Sequence, residues 1–265
     1  MRSTLIIVIT FLLLIPVSVT AQSSARTQQD EYSLQKTLQA KKKQRSNQNE
    51  ESLDFSGTGR PGQQTAGESR GNCASASRLE ALLPISKSGT TVQGHPSFWV
   101  YFADMLPPGT QVEFIVQNED REDIWRSLAK LDRQPGYKRF SLPESESALE
   151  TGQWYRWYVK VYCNSQFASA KYVQGWVKRI PLNSQLYLDL QEATDNSHII
   201  YGNHSIWYDA IDQFLSTYRD NSANLALEQD WQNLMSAKGV DLEQLPSIGS
   251  SYEAVDPSNN IPIKQ

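Results

Sequence analysis

Cysteine and histidine are scarce in this sequence, so few side chains are available for metal binding or nucleophilic catalysis. The 265 residues include two cysteines and three histidines. His198 and His204 are six positions apart, whereas two metal ligands on one helix face need a spacing of three or four residues. If Cys73 and Cys163 form a disulfide, no thiolate remains for zinc. The sequence therefore predicts no metal site and no cofactor.

The two cysteines carry a structural prediction. An even number of cysteines in an exported chain favours a disulfide, here between Cys73 and Cys163. The loop that this bridge would close is long, so the chain-entropy model gives a stabilisation of about 4–5 kcal/mol. The alternative is a pair of buried free thiols.

An excess of positive charge is also missing. Lys and Arg total 25 against 29 Asp and Glu, a formal net charge of −4. From Asn72 onward the acidic residues outnumber the basic ones by 23 to 16. Because nucleic-acid phosphates require a basic face, this composition excludes nucleic acid as a partner of the folded part.

Long apolar runs are absent after the first 21 residues. Arg2 provides a positive charge, residues 5–19 form an apolar run, and Val19-Thr-Ala21 has the small residues that signal peptidase requires. The run is shorter than the roughly 20 residues that span a bilayer. We therefore predict a cleaved signal peptide over residues 1–21, with no transmembrane anchor after cleavage. The mature protein is expected in the periplasm or outside the cell; the alternative is an uncleaved membrane anchor.

Large apolar residues are few between residues 22 and 71, a stretch rich in Gln, Ser, Gly and Lys. Such a stretch cannot bury enough surface to offset the entropy lost on ordering, so a disordered linker is predicted. The basic cluster at residues 41–45 is interpreted as part of a solvated tether, with contact to an anionic envelope surface as the alternative.

Two short motifs in this linker match catalytic signatures in their letters alone. Residues 57–62 match the dinucleotide-binding pattern, and residues 67–71, centred on Ser69, match the nucleophile elbow. The first chemistry needs a strand before the glycines and a helix after them, and the second needs a strand-to-helix turn and a histidine base. Neither context is present in the pattern, so no catalytic residue is predicted.

From Leu79 the hydrophobic period changes to two, which is typical of half-buried strands. Phe98, Val100 and Phe102 alternate with Trp99 and Tyr101. Similar short segments follow, separated by turn signals. This spacing predicts an antiparallel β-sandwich over residues 72–181.

One segment sharpens that prediction to an immunoglobulin-like sandwich. Leu149 and Gly152 precede Tyr155, which opens an alternating strand, and this order resembles the tyrosine corner of such folds. In that arrangement a set of side chains points inward: Tyr155, Trp157, Val159, Val161 and Cys163.

After Pro181 the period becomes helical. Asn183 or Ser184 can cap a first helix, and a third helix over residues 222–238 ends at Gly239. Between them, residues 201–211 look like half a tetratricopeptide unit, with Gly202 at the turn, Trp207 beside it, and the small Ala210 letting two helices approach.

The predicted fold class is therefore α+β. An immunoglobulin-like antiparallel sandwich is followed by a C-terminal helical hairpin and a third helix. Residues 182–245 are expected to pack on the sandwich, and residues 246–265 to form a loose tail.

Aromatic residues are abundant, with seven Trp and 12 Tyr. On the alternating strand the side opposite the core carries rings and cations, which can stack on sugars or anchor a protein partner. The candidate binding face comprises Trp99, Tyr101, Trp154, Arg156, Tyr158 and Trp176. The alternative, favoured because large apolar faces are usually buried, is that the C-terminal helices cover it.

Three segments together resemble a known family. They are the stretch from Gly59-Arg-Pro-Gly62 to Arg70-Gly-Asn-Cys73, the Tyr155-Arg-Trp-Tyr158 strand followed by Gly175-Trp-Val177, and Ile206-Trp-Tyr-Asp-Ala210. As a set they are similar to an uncharacterised exported family of cyanobacterial type, catalogued as domain of unknown function 928. The resemblance covers roughly residues 57–245. It implies export and this domain shape, and it implies no activity.

The sequence thus predicts a non-catalytic adaptor in the periplasm or outside the cell, whose partner is an envelope or secreted protein. A carbohydrate-binding module that recognises polysaccharide is the alternative. An enzyme of unrecognised type is the third possibility.

Overall fold

The computed structural model describes residues 53–57, 59, 78–129, 131–162, 170–193, 196–220, 225–248, 252–254 and 261–262, together with Lys36. The predicted signal peptide, both cysteines of the predicted disulfide, and the Ser69 motif lie outside the described residues. Within the described part, no helix has the length and apolar character that crossing a membrane requires.

The described chain is mixed α+β. Its ten strands are β1 (Leu79–Ala81), β2 (Ser88–Thr91), β3 (Ser97–Phe102), β4 (Gln111–Gln117), β5 (Asp123–Ala129), β6 (Gly136–Ser141), β7 (Trp154–Tyr162), β8 (Ala170–Arg179), β9 (Tyr252–Ala254) and β10 (Ile261–Pro262). Its four helices are α1 (Ser184–Glu192), α2 (Ser197–Asn203), α3 (Trp207–Asp220) and α4 (Leu225–Met235). Asn183 caps α1 through its side-chain oxygen, which accepts a 2.9 Å bond from the Leu186 N–H.

The strands form two sheets, one of four strands in the order β1-β3-β6-β9 and one of six in the order β10-β5-β4-β7-β8-β2. All pairs are antiparallel except β2–β8 and β6–β9, which are parallel. The prediction of a purely antiparallel arrangement is therefore corrected at these edges. Strand β2 has the sequence SGTT, which carries no apolar alternation to reveal it. Strands β9 and β10 fall in the stretch predicted to be a loose tail.

The sheets pack together through aromatic side chains. The ring centroid of Phe98 on β3 lies 5.6 Å from that of Phe114 on β4 and 5.1 Å from that of Trp157 on β7. Phe140 on β6 lies 5.6 Å from Phe114. Each such pair adds about 0.5–1.5 kcal/mol beyond the burial of area. The inward set predicted on β7 is buried at Tyr155, Trp157, Val159 and Val161; Cys163 lies outside the described residues.

The start of β7 is held by a side-chain bond to the backbone. The Tyr155 hydroxyl accepts a 3.0 Å hydrogen bond from the Glu150 N–H, and the neighbouring Leu149 is buried. Gly152 has φ +90°, a conformation that other residues rarely adopt. This contact ties the start of β7 to the turn that precedes it.

The outer face of the four-stranded sheet is covered by helices. Trp99 on β3 donates its indole N–H to Asp212 Oδ1 on α3 at 2.9 Å, and Arg139 on β6 bonds both oxygens of that carboxylate. Tyr137 packs edge-on against Trp231 of α4, with ring centroids 5.6 Å apart. This face consequently belongs to the interior.

The first residues of α3 enter the core at one end of the two sheets. The Trp207 indole N–H donates to the Leu82 carbonyl at 2.8 Å. Tyr208 Oη accepts from the Trp157 indole at 2.7 Å and donates to the Trp176 carbonyl at 2.9 Å. A Cβ on Gly89 would lie 3.0 Å from Trp207 Cβ, so a larger residue there would require its neighbours to shift slightly. The helices and the sheets therefore share one core.

A short segment of the predicted linker is ordered. Phe55 is fully buried edge-on against Trp207, with ring centroids 4.9 Å apart, and its N–H donates to the Lys238 carbonyl at 2.8 Å. The prediction of disorder over residues 22–71 is therefore wrong for residues 53–57. A single phenylalanine in a polar stretch scarcely changes the local composition. Its side chain nevertheless packs in the core against Trp207.

Gly202 has a different setting from the one predicted. It lies inside α2, and the turn begins after it, at His204. A Cβ at this position would be 3.1 Å from the Leu53 side chain. Gly202 thus provides room for the ordered segment at residues 53–57, and Trp207 and Ala210 are fully buried in α3.

Candidate binding face on the six-stranded sheet

Strand β7 directs alternate side chains to the side of its sheet that faces away from the four-stranded sheet. This side carries Trp154, Arg156, Tyr158, Lys160 and Tyr162, all of them half-buried. The alternation arises because successive residues of a strand point to opposite faces. Among the described residues, no helix covers these side chains as α3 covers Trp99.

The neighbouring strand β8 places complementary side chains beside them. In the antiparallel register Trp154 is opposite Lys178, Arg156 is opposite Trp176, and Lys160 is opposite Tyr172. Trp154, Trp176 and Tyr172 therefore each have a cation as their cross-strand neighbour, whereas Tyr158 is opposite Gln174. We refer to Trp154, Arg156, Tyr158, Lys160, Trp176 and Lys178 as the aromatic–cation face.

The cations lie close to the ring faces. Arg156 Cζ is 4.8 Å from the centroid of the Tyr158 ring and 5.6 Å from that of the Trp176 ring. Lys160 Nζ is 5.5 Å from Tyr158, and Lys178 Nζ is 5.8 Å from Trp154. These separations are within the range of cation–π attraction, which holds the long side chains over the sheet.

Two carboxylates beside this face are engaged by other side chains. Glu113 on β4 is almost fully buried and accepts from Arg126 Nη1 at 2.6 Å and from the Tyr162 hydroxyl at 2.8 Å. Burial, followed by the hydrogen bond to Glu113, raises the pKa of Tyr162 to about 12. Asp123 accepts from Arg126 Nε. Within the described chain, neither Arg156 nor Lys178 forms an ion pair with a carboxylate.

The structure divides the predicted binding residues between two surfaces. Trp154, Arg156, Tyr158 and Trp176 lie together on the aromatic–cation face. Trp99 and Tyr101 lie on the outer face of the four-stranded sheet, and Trp99 is only 1% exposed. Because the sheets pack through their inner faces, their outer faces point in opposite directions and cannot form one site.

Sequence reasoning missed the part of the face that β8 contributes beyond Trp176. Lys178 belongs to it, and Tyr172 lies beside it, opposite Lys160. The signal was available in the same period of two that marks β7, since positions 172, 174, 176 and 178 are alternate residues of one strand. Their alignment with β7 depends on the strand register, which the pattern alone does not specify.

The histidines form no common site. His95 Nε2 bonds the Glu146 carbonyl at 2.9 Å, His198 Nε2 lies 3.1 Å from Asp230 Oδ2, and His204 Nε2 lies 2.8 Å from Asp189 Oδ2. Across the described ranges no group of three or more His, Cys, Asp or Glu side chains could hold a metal ion.

Asp209 on α3 is a buried acid with a raised pKa. It is 3% exposed, its Oδ2 accepts from the Val92 N–H at 3.3 Å, and its Oδ1 has no partner among the described residues. Burial raises the pKa of this carboxyl to about 7, although hydrogen bonds from Thr91 and Gln93 act in the opposite direction. Because these neighbours enclose the carboxyl, its role is structural, at the junction of α3 and β2.

Asp209 predicts a pH dependence of stability. A carboxyl whose pKa rises from 3.8 in the unfolded chain to about 7 in the folded one favours folding while it is protonated. That contribution is complete below about pH 4 and is lost as the pH rises through about 7. Asp209→Asn should therefore flatten the fall in unfolding free energy between these limits, as measured by urea denaturation at several pH values.

The matched control for this experiment is Glu144→Gln, which removes an exposed carboxyl far from α3 in sequence. It should leave the wild-type slope unchanged. An Asp209→Asn protein with the wild-type slope would show that another group is responsible.

Comparison with known proteins adds a family and no activity. A family model described as Domain of Unknown Function (DUF928) matches residues 65–247, which is more than half of the chain. No curated protein matches the sequence.

Proposed function

The chain belongs to the DUF928 family, and we propose that it is an exported, non-catalytic binding protein that recognises carbohydrate through its aromatic–cation face. The observation that carries the proposal is the partial exposure of this face on β7 and β8, two strands of the sheet that α3 contacts at its edge strand β2. Aromatic rings offer flat apolar surfaces to the C–H faces of sugars, and adjacent polar groups orient the ligand. This position favours the carbohydrate-binding alternative over the adaptor that the sequence favours.

The proposed scaffold is an immunoglobulin-like sandwich. The support is the bond from the Glu150 N–H to the Tyr155 hydroxyl, together with aromatic contacts between the inner faces of two sheets. Helices α2 and α3 would be the half-tetratricopeptide hairpin, in which the fully buried Ala210 belongs to the same apolar cluster as Tyr201 of α2.

A protein-adaptor role is the second candidate, because helix α1 exposes apolar side chains. Tyr187 and Leu188 in this helix are 51% and 56% exposed, and Leu182, just before it, is 47% exposed. Clustered apolar residues at the surface mark many protein contact sites. An envelope or secreted protein would be the partner of this surface.

The two roles are separated by variants on each surface. Trp154→Ala/Trp176→Ala removes two rings of the aromatic–cation face, and Tyr187→Ala/Leu188→Ala truncates the exposed side of α1. Mature protein would be mixed with sedimented envelope material, and the bound fraction measured across concentrations. Because large aromatic anchors dominate binding energy, the tryptophan pair should weaken retention about tenfold or more.

The helix pair is the control and should bind as the wild type does. If only the helix variant loses binding, the adaptor role is correct and the carbohydrate role is wrong. Circular dichroism and thermal unfolding of both variants show whether each remains folded, since all four side chains are at least partly exposed.

A further inference from the structure

Positive charge is concentrated on the aromatic–cation face of a chain that is otherwise acidic. From Asn72 onward acidic residues outnumber basic ones by 23 to 16. On this side of the six-stranded sheet the cations are Arg126, Arg156, Lys160 and Lys178. The acids Glu113 and Asp123 are both bound by Arg126, and Glu113 also lies 3.9 Å from Lys160 Nζ, so the two acids leave Arg156 and Lys178 without an ion pair among the described residues. The surface is therefore a positive area on an acidic protein, which is complementary to an anion.

Arg156 is the most constrained of these cations. Its Nη2 donates to Gln174 Oε1, and its guanidinium lies over both the Tyr158 and Trp176 rings. Its Nε is buried without a hydrogen-bond partner among the described residues. A guanidinium held in place in this way loses little conformational entropy when it binds a carboxylate or sulfate.

Rings and cations alternate in two directions. Along β7 the order is Trp154, Arg156, Tyr158, Lys160, and successive members are about 6–7 Å apart because each is two residues from the next. Between β7 and β8, Trp154 is opposite Lys178 and Trp176 is opposite Arg156. A pyranose ring stacked on an aromatic side chain would thus place an acidic substituent next to a cation.

A neutral glycan fits this surface less well. It would cover Arg156 and Lys178 and displace their water without supplying a negative charge, which costs free energy. An acidic polypeptide would satisfy the cations but has no rigid apolar ring for each aromatic side chain. Both the charge and the stacking requirement are met by an acidic sugar polymer.

We infer that the ligand of the aromatic–cation face is an acidic polysaccharide, whose sugar rings stack on Trp154, Tyr158 and Trp176 while its carboxylate or sulfate groups bind Arg156, Lys160 and Lys178. This inference rests on the proposed function, since it specifies the ligand of the same face.

The test measures binding of the full mature protein to defined polymers by calorimetry. Polygalacturonate and dextran sulfate are the acidic probes, methyl-esterified polygalacturonate and dextran are their neutral counterparts, and polyglutamate is the acidic polypeptide. Wild-type protein should bind at least one acidic polysaccharide, and its affinity should fall as the salt concentration rises from about 0.05 M to about 0.5 M. The neutral counterparts and polyglutamate should bind about tenfold more weakly or not at all.

The decisive variant is Arg156→Gln/Lys178→Gln, which should reduce affinity for the acidic polysaccharide about tenfold or more. Its matched control is Arg78→Gln/Arg133→Gln, which removes the same charge from two exposed positions outside the face and should bind as the wild type does. Equal losses in both variants would indicate a nonspecific charge effect and overturn the inference.

Other results would also overturn it. These are equal binding of neutral and acidic polysaccharides, tighter binding of polyglutamate than of either acidic polysaccharide, and no binding of any polymer. The inference can fail while the proposed function stands, if Trp154→Ala/Trp176→Ala still abolishes retention on envelope material. If that variant keeps full retention, the proposed function itself is wrong.

Discussion

Replacing Trp207 with alanine should lower the free energy of unfolding by about 3–5 kcal/mol, the range for truncating a large aromatic side chain in a core. Trp207 is fully buried, packs edge-on against Phe55, and donates its indole N–H to the Leu82 carbonyl. Its loss leaves a cavity where helix α3, the sheets and the segment at residues 53–57 meet. Chemical denaturation of the two proteins measures the difference.

Two further variants make this prediction specific. Trp207→Phe retains most of the ring but loses the indole N–H, so it should cost less than Trp207→Ala while leaving the buried Leu82 carbonyl unpaired. Tyr187→Ala removes a ring that is 51% exposed on α1 and should change stability by less than about 0.5 kcal/mol. A Trp207→Ala protein as stable as Tyr187→Ala would contradict the shared core.

Gly239→Ala is expected to destabilise the fold by about 2–5 kcal/mol, since it combines a positive φ with a steric clash. Gly239 has φ +85°, and a Cβ there would lie 2.7 Å from both the N and Cα atoms of Ser56. These are backbone atoms, so relief of the clash requires the ordered segment at residues 53–57 to shift. The accompanying result should be faster proteolysis near Phe55.

Gly109→Ala is the matched control for this prediction. Gly109 has φ +80°, nearly the same conformation, but a Cβ there meets no atom within 4 Å. Its substitution should cost only the conformational term, about 1–2 kcal/mol. Equal destabilisation by the two variants would show that the clash with Ser56 adds no cost, and would contradict the prediction.

Strand β7 was predictable because its two sides differ: one side is buried and the other half-buried, and the period of two marks this difference in the sequence. Strands β3 and β4 were predictable from their apolar and aromatic residues, although the structure buries both of their sides almost completely. Strand β2 was not predictable, since Ser88-Gly-Thr-Thr91 pairs with β8 through its backbone and has no apolar side chain. Its burial is a consequence of helix α3 packing over Gly89.

The binding face was only partly predictable for a related reason. The sequence identifies which side of each strand is rich in aromatic residues, and it does so correctly for β7. It does not state which of two outer faces the helices will cover. Helix α3 covers Trp99, because Asp212 accepts hydrogen bonds from its indole and from Arg139 on the neighbouring strand. The side chains on β7 and β8 therefore retain partial exposure.

By itself the sequence determined the α+β composition, the alternating strands, and the start of α1 at Asn183 or Ser184. Each depends on residues close together in the chain, where local geometry decides the outcome. The tertiary structure alone decided the parallel edge strands, the burial of Phe55 against Trp207, and the separation of Trp99 from Trp154. These features depend on contacts between residues far apart in sequence, and only the packed core selects among them.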